Sequence, residues 1–172
     1  TAVRNLRREG IRRGIYLSGD VMLDALQAMK PLAMRRLPDC LARHRLREGD
    51  YVVATLHRAA NVDDAGRLER IVDALSGPGP TMLFPVHPRT RARLRAARLW
   101  NRLSRAPRLR LVPPLGYLDF LALEIGARGV LTDSGGVQRE AYFLGVPCVL
   151  LRKVTEWPEP VAAGATILAG DD

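Results

Sequence analysis

Short runs of β-branched and aliphatic residues recur along this chain, each followed by a segment with helical spacing. That alternation leaves few folds open. The runs occupy residues 51–56, 81–86, 109–112, 130–132, 147–151 and 166–168. Between them lie helix-like stretches at 63–75, 89–103, 117–125 and 137–144, with a shorter one at 159–163. Brief apolar runs bounded by turn residues suit strands buried on both faces. Strands and helices in alternation predict an α/β fold with a doubly wound, Rossmann-like parallel sheet. In the common strand order 3-2-1-4-5-6, the first and fourth strands are central neighbours, and their carboxyl ends flank the ligand crevice. The first run closes on Leu56-His57-Arg58 and the fourth on Asp133-Ser134-Gly135-Gly136. Topology thus predicts that these two distant loops meet.

The second of those loops is strand, tight turn and helix, with two glycines at the start of the helix and Gly145 at its end. Amides left unpaired in a first helical turn, together with the positive end of the dipole, make a seat for phosphate. A Cβ at either glycine would hold the anion off the backbone. Glu140 falls about one turn further in, where a carboxylate accepts hydrogen bonds from sugar hydroxyls. A plainer reading is that Ser134 only caps the helix and the glycines only make the turn. The predicted approach of His57 favours the phosphate seat.

A histidine at a strand's carboxyl end either donates to phosphate and exchanges protons near neutral pH, or is simply a hydrogen-bonded loop residue. His87, in Pro85-Val86-His87-Pro88, holds the equivalent place after the second strand. It faces the same cleft or serves as a turn residue between prolines. Arg152 ends the fifth strand, where a guanidinium can clamp a diphosphate. Phe120, on the helix after the third strand, abuts a planar base or belongs to the core.

Residues 1–46 are less regular. Residues 1–9 suit a helix stopped by Gly10, and residues 15–18 a short strand. From 21 to about 44 the spacing is helical, but Pro31 and Pro38 predict a kink or break. With its arginine-rich tail the segment reads as a connector rather than a core element, with His44 solvated. A chain opening at Thr1 without an initiator Met is expected to be a processed protein or an excised piece.

The net charge of +9 is almost wholly arginine, since Lys30 and Lys153 are the only lysines. Such a balance favours anionic partners. The densest basic stretch sets Arg91, Arg95, Arg98, Arg102 and Arg105 opposite Ala92, Ala96, Leu99 and Leu103, the pattern of an amphipathic surface helix. No nucleic-acid recognition motif or stacking platform accompanies it. No apolar run is long enough to span a bilayer, and no signal-peptide pattern opens the chain. Neither nucleic acid nor membrane is therefore expected as a partner. Cys40 and Cys148 are unpatterned thiols, as in a reducing cytoplasm, and Cys148 reads as a buried strand residue.

Five spaced stretches resemble the non-hydrolysing UDP-N-acetylglucosamine 2-epimerases. They are Thr55-Leu56-His57-Arg58-Ala59-Ala60-Asn61, Pro85-Val86-His87-Pro88, Leu115-Gly116-Tyr117-Leu118-Asp119-Phe120, residues 132–140, and residues 152–159. The opening residues 1–26 also look like the family's hinge. The resemblance implies one half of a glycosyltransferase-B-like, two-domain enzyme whose active site lies between two Rossmann-like domains. Residues 1–46 would be the end of the amino-terminal domain plus the hinge, and residues 47–172 the carboxyl-terminal UDP-binding domain. It implies inversion at C2 of the sugar by elimination and re-addition of UDP, with no cofactor and no metal. Ser134, Gly135 and Gly136 would hold the diphosphate, Glu140 the ribose and Phe120 the uridine region. His57 would be the catalytic residue at the departing phosphate, with Arg58, His87 and Arg152 lining the cleft. The implied partners are a UDP-sugar, the amino-terminal domain, which would carry the carboxylates that move the C2 proton, and a second subunit in a homodimer.

The sequence departs from the family pattern at Ala60 and Arg139, where Glu is usual, and at Lys153, often Asp. Each change predicts a more positive cleft rim. The Tyr117-Leu118-Asp119 and Glu156-Trp157-Pro158-Glu159 forms also resemble relatives acting on diacetamido-uronic UDP-sugars. A glycosyltransferase-B-type sugar transferase using the same diphosphate seat is a further alternative.

Overall fold

A computed structural model describes residues 2–170. Its elements, in chain order, are α1 (Ala2–Arg8), α2 (Val21–His44), β1 (Tyr51–Ala54), α3 (Ala59–Val62), α4 (Ala65–Ser76), β2 (Thr81–Pro85), α5 (Pro88–Ala96) and α6 (Trp100–Ser104). They continue with β3 (Leu109–Val112), α7 (Tyr117–Ile125), β4 (Gly129–Thr132), α8 (Gly135–Leu144), β5 (Cys148–Leu150), α9 (Pro158–Ala162) and β6 (Thr166–Leu168). The six strands are all parallel, in the order β3-β2-β1-β4-β5-β6. The fold class is α/β, a doubly wound Rossmann-like parallel sheet, as the alternation of strands and helices predicts.

Strand periodicity sorts side chains to the two faces. Val53 and Leu83 enter a cluster with Leu26, Ala33, Leu37 and Cys40 of α2 and Leu121, Ala122 and Leu123 of α7. Their neighbours Ala54 and Phe84 point the other way, into a cluster built with α4, α5 and α6. A third cluster sets Ala141 of α8 on Val130 and Cys148, so Cys148 is a buried strand residue as its apolar context suggested. Pairing of Val53 with Val130 and Ala54 with Leu131 aligns β1 and β4, and Thr55 N–H extends the ladder to the Leu131 carbonyl at 2.8 Å. Both strands therefore end at the same height.

Four expectations need correction. Residues 15–18 form no strand: Tyr16 and Leu17 are exposed, and the sheet's edges are β3 and β6, so no ladder receives them. The segment around Pro31 and Pro38 is not a broken connector but one helix of 24 residues, α2. Each internal proline costs about 3 kcal/mol. Burial of Leu26, Ala33, Leu37 and Cys40 in the cluster shared with α7 opposes that cost and fixes the segment as a single helix. Asp20 caps α2 by accepting from Met22 and Leu23 amides, and Arg45 closes it in the left-handed conformation. His44 at its end is half-buried rather than solvated, its Nε2 has no hydrogen-bond partner among the described residues, and burial lowers its pKa.

The basic stretch is two helices, not one. Arg98 adopts φ 59°, which lets Leu99 turn inward and bond its amide to the Leu94 carbonyl at 2.8 Å. Trp100 then lies under the guanidinium groups of Arg91 and Arg95, at 5.0 and 5.6 Å. Helix α4 is capped by Asp64 (2.6 Å to the Arg67 amide), which leaves the side chain of Asp63 out of the cap. Asp63 pairs with Arg89 and Arg93 instead, and those hydrogen bonds lower its pKa. Among the described residues no helix is long and apolar enough to cross a membrane.

Candidate functional site

The carboxyl ends of β1 and β4 are joined by one buried carboxylate. Asp133, fully buried, accepts from the His57 amide (3.0 Å), the Arg58 amide (2.8 Å) and the Asn61 side-chain amide (3.1 Å). Its other oxygen lies 3.3 Å from His57 Nδ1. A buried carboxylate is tolerated only when so fully paired. Asn61, itself buried, also donates to the Leu151 carbonyl, and its side-chain oxygen accepts from Arg67 Nε at 2.7 Å. Thr55 and Thr132 share a hydroxyl hydrogen bond of 2.6 Å just below. The predicted meeting of the two loops is thus observed, and the His57 side chain remains 41% exposed, open to a ligand.

The glycine turn follows Asp133 directly. Ser134 N–H is used by the Thr132 hydroxyl (2.9 Å), and Ser134 Oγ caps α8 by accepting from the Val137 amide at 3.4 Å. Among the described residues no group accepts from the amides of Gly135 and Gly136. Ser134 is therefore a helix cap, and two amides still point out at the positive end of a ten-residue helix.

Around that turn stand the remaining polar groups. A Cβ built on Gly135 would lie 3.5 Å from Glu156 Oε2, 3.6 Å from Arg152 Nη1 and 3.6 Å from Trp157 Nε1. Arg152 grips Glu156 through two hydrogen bonds of 2.6 and 2.7 Å, which hold the Glu156 carboxyl down at about 2, with Arg58 adding a smaller electrostatic contribution. Arg152, held by Glu156, therefore stands at the rim of the glycine turn. The loop carrying Trp157 is pinned to α8: Thr155 donates to Gln138 Oε1 at 2.6 Å and Gln138 donates to the Trp157 carbonyl at 3.4 Å.

His87 is both things the sequence left open. Its Nδ1 accepts from the Arg89 amide (3.2 Å), capping α5, while its ring centroid stands 5.9 Å from that of His57. An Nδ1 that accepts leaves the proton of the neutral ring on Nε2. Glu140 is half-buried on α8, and burial raises its pKa against the opposing influence of the Tyr117 hydroxyl. Phe120 is the residue least tied to the turn, since it packs against the core cluster shared by α2 and α7.

Arg139 does not make the rim more positive. It is 8% exposed, paired with Asp20 at the start of α2, and lies 3.8 Å over the Trp157 ring. Its charge is neutralised and buried rather than presented to the cleft. Asp133 and Gln138 were missed as organisers because their bonding appears only once three loops are folded together. The sole hint was the strand order that brings His57 beside residue 133.

Known proteins resemble this chain along its whole length. A family model described as UDP-N-acetylglucosamine 2-epimerase matches residues 1–172. A UDP-N-acetylglucosamine 2-epimerase homolog of Methanococcus maripaludis is 45% identical over 172 residues, covering all of this chain and 48% of that protein. A UDP-2,3-diacetamido-2,3-dideoxy-D-glucuronate 2-epimerase of Pseudomonas aeruginosa is 39% identical, covering 98% of this chain and 46% of its own length. The crystal structure of Methanocaldococcus jannaschii UDP-GlcNAc 2-epimerase in complex with UDP-GlcNAc and UDP superposes with a TM-score of 0.85 at 40% identity, over 99% of this chain and 48% of that one. The chain spans about half the length of the curated relatives it matches. With the match running from the first residue to the last, this chain belongs to the UDP-N-acetylglucosamine 2-epimerase family.

Proposed function

We propose that this chain is the UDP-sugar-binding half of a non-hydrolysing UDP-N-acetylglucosamine 2-epimerase. The observation that carries the reading is Asp133, which bonds the His57 loop to the strand end from which the Gly135-Gly136 turn opens. Two free amides and an exposed imidazole then face one crevice, flanked by Arg58 and Arg152. A pyrophosphate meets all of these groups at once.

In this reading Ser134, Gly135 and Gly136 hold the diphosphate, the Ser134 hydroxyl oxygen also capping α8. Glu140 takes the ribose hydroxyls, Phe120 borders the uridine, and Arg58, His87 and Arg152 line the sugar-nucleotide cleft. His57 acts at the departing phosphate. The C2–H electron pair becomes the C1–C2 double bond as the C1–O bond breaks and its electrons leave with UDP. Re-addition of UDP and of a proton on the opposite face inverts C2. Residues 1–46 form the end of the other domain and the hinge, and residues 47–172 the UDP-binding domain. The carboxylates that move the C2 proton come from the other domain, and the complete enzyme works in the cytoplasm as a homodimer.

A second reading, a UDP-diacetamido-uronic acid 2-epimerase, draws on the Pseudomonas aeruginosa relative and on Trp157, whose ring nitrogen borders the turn. The test is to incubate the complete polypeptide with each UDP-sugar in D2O and follow deuterium at C2. Exchange with inversion is expected for UDP-N-acetylglucosamine, and for the 172-residue chain alone weak UDP binding without turnover. Turnover by the isolated chain, or transfer of the sugar to an acceptor, would overturn the reading.

A further inference from the structure

The two oxygens of Asp133 do different work. Oδ2 is filled by the His57 amide, the Arg58 amide and the Asn61 side chain, at 3.0, 2.8 and 3.1 Å. Oδ1 faces the His57 ring at Nδ1, 3.3 Å away, with the His57 amide at 3.1 Å. Asp133 is fully buried and acceptor-only when ionised, so an Nδ1 lone pair 3.3 Å from Oδ1 would be repelled, which favours hydrogen on Nδ1. We propose that Asp133 is the positioning residue for His57: it holds the proton on Nδ1 and so turns Nε2 toward the crevice.

The supporting frame makes this a fixed arrangement. Asn61 is locked at both ends, donating to Asp133 and to the Leu151 carbonyl while its oxygen accepts from Arg67. Asp133 therefore cannot rotate away from His57 without abandoning three donors. A neutral His57 in this tautomer has an Nε2 that accepts, and on protonation Nε2–H donates while Asp133 balances the charge. Resting on the proposed function, that is the group a departing phosphate requires: a donor at Nε2 whose positive charge is stabilised from behind.

The neighbouring His87 has the opposite arrangement. Its Nδ1 is an acceptor for the Arg89 amide, so its Nε2 always carries hydrogen. Two histidines with rings 5.9 Å apart are thus held in complementary tautomers by different partners.

Asp133→Asn separates positioning from simple structure. The carboxamide oxygen replaces Oδ2 to keep its three donors, which leaves the NH2 group beside Nδ1. That NH2 donates, and the imidazole proton moves to Nε2. The readout is long-range 1H–15N correlation on the 15N-histidine-labelled chain, at an alkaline pH where imidazoles are neutral. An Nδ1–H tautomer for His57 in the unsubstituted chain and an Nε2–H tautomer in the variant are expected. An Nε2–H tautomer in the unsubstituted chain overturns the proposal without the variant, so a variant that fails to fold does not shield it. An unchanged tautomer in a folded variant overturns it equally. In the complete enzyme the variant should lose about 100-fold or more in kcat with KM nearly constant; a loss confined to KM counts against it. UDP titration of the unsubstituted chain runs alongside. Failure to bind UDP removes the functional reading, whereas the tautomer result stands or falls by itself.

Discussion

Gly135→Ala should move stability and ligand affinity in opposite directions. Gly135 is the first residue of α8, and its φ is not in the left-handed region, so alanine fits its backbone. The new Cβ would meet Glu156 Oε2, Arg152 Nη1 and Trp157 Nε1 at 3.5, 3.6 and 3.6 Å, all ordinary contacts. The folded state is therefore not strained. Alanine in place of glycine in a helix gains about 0.5–1 kcal/mol. At about 2–4 °C per kcal/mol for a domain of this size, Tm should rise by about 1–4 °C. The same methyl fills the gap between the free amides and the Arg152–Glu156–Trp157 group. A phosphate oxygen pushed out of that gap loses one hydrogen bond made to a charged group, about 1.5–3 kcal/mol, or about 10- to 150-fold in Kd. Calorimetric titration of UDP into both proteins at one ionic strength, with thermal unfolding in parallel, measures the two effects. Unchanged UDP affinity with a raised Tm would refute the seat, because the methyl would then occupy space that no phosphate uses.

Other substitutions probe the same architecture. Glu124 is fully buried, neither oxygen has a hydrogen-bond partner among the described residues, and burial, reinforced by Glu140, raises its pKa well above the ordinary carboxylate range. A carboxyl with a raised folded pKa contributes no penalty below the unfolded value and progressively lowers stability as pH rises above it. Glu124→Leu should thus stabilise at pH 7 by about 1–3 kcal/mol, with the gain shrinking toward pH 4 in urea unfolding; a gain independent of pH contradicts the burial argument. Arg139→Ala and Asp20→Ala remove a paired, largely buried contact between α8 and the start of α2. A double-mutant cycle should give a coupling of about 0.5–3 kcal/mol, and additive effects would show the pair to be idle.

What the sequence disclosed and what it hid have a common physical cause. Period and length alone mark the six strands and the helices α7 and α8, because burial on both sheet faces forces apolar runs. The strand order then placed His57 beside the glycine turn. Features decided by long-range packing were not legible. Pro31 and Pro38 argue locally against a helix, and only the face of α7 makes α2 continuous. Residues 15–18 have strand-like composition and no strand to pair with. Nothing in the arginine stretch marks Arg98 as a left-handed turn, since the need arises from where Leu99 must go. Likewise Arg139 reads as an added surface charge until Asp20 and Trp157 are found against it. Asp133 sat inside the motif in plain view, but a carboxylate's role depends on which donors the fold brings to it.

The most direct test is a crystal structure of this chain with UDP bound. A diphosphate within hydrogen-bond reach of the Gly135 and Gly136 amides, with His57 Nε2 turned toward the β-phosphate and Nδ1 still on Asp133, is the expected result. UDP seated elsewhere, such as among the arginines around Trp100, or an imidazole swung away from the turn, would contradict it.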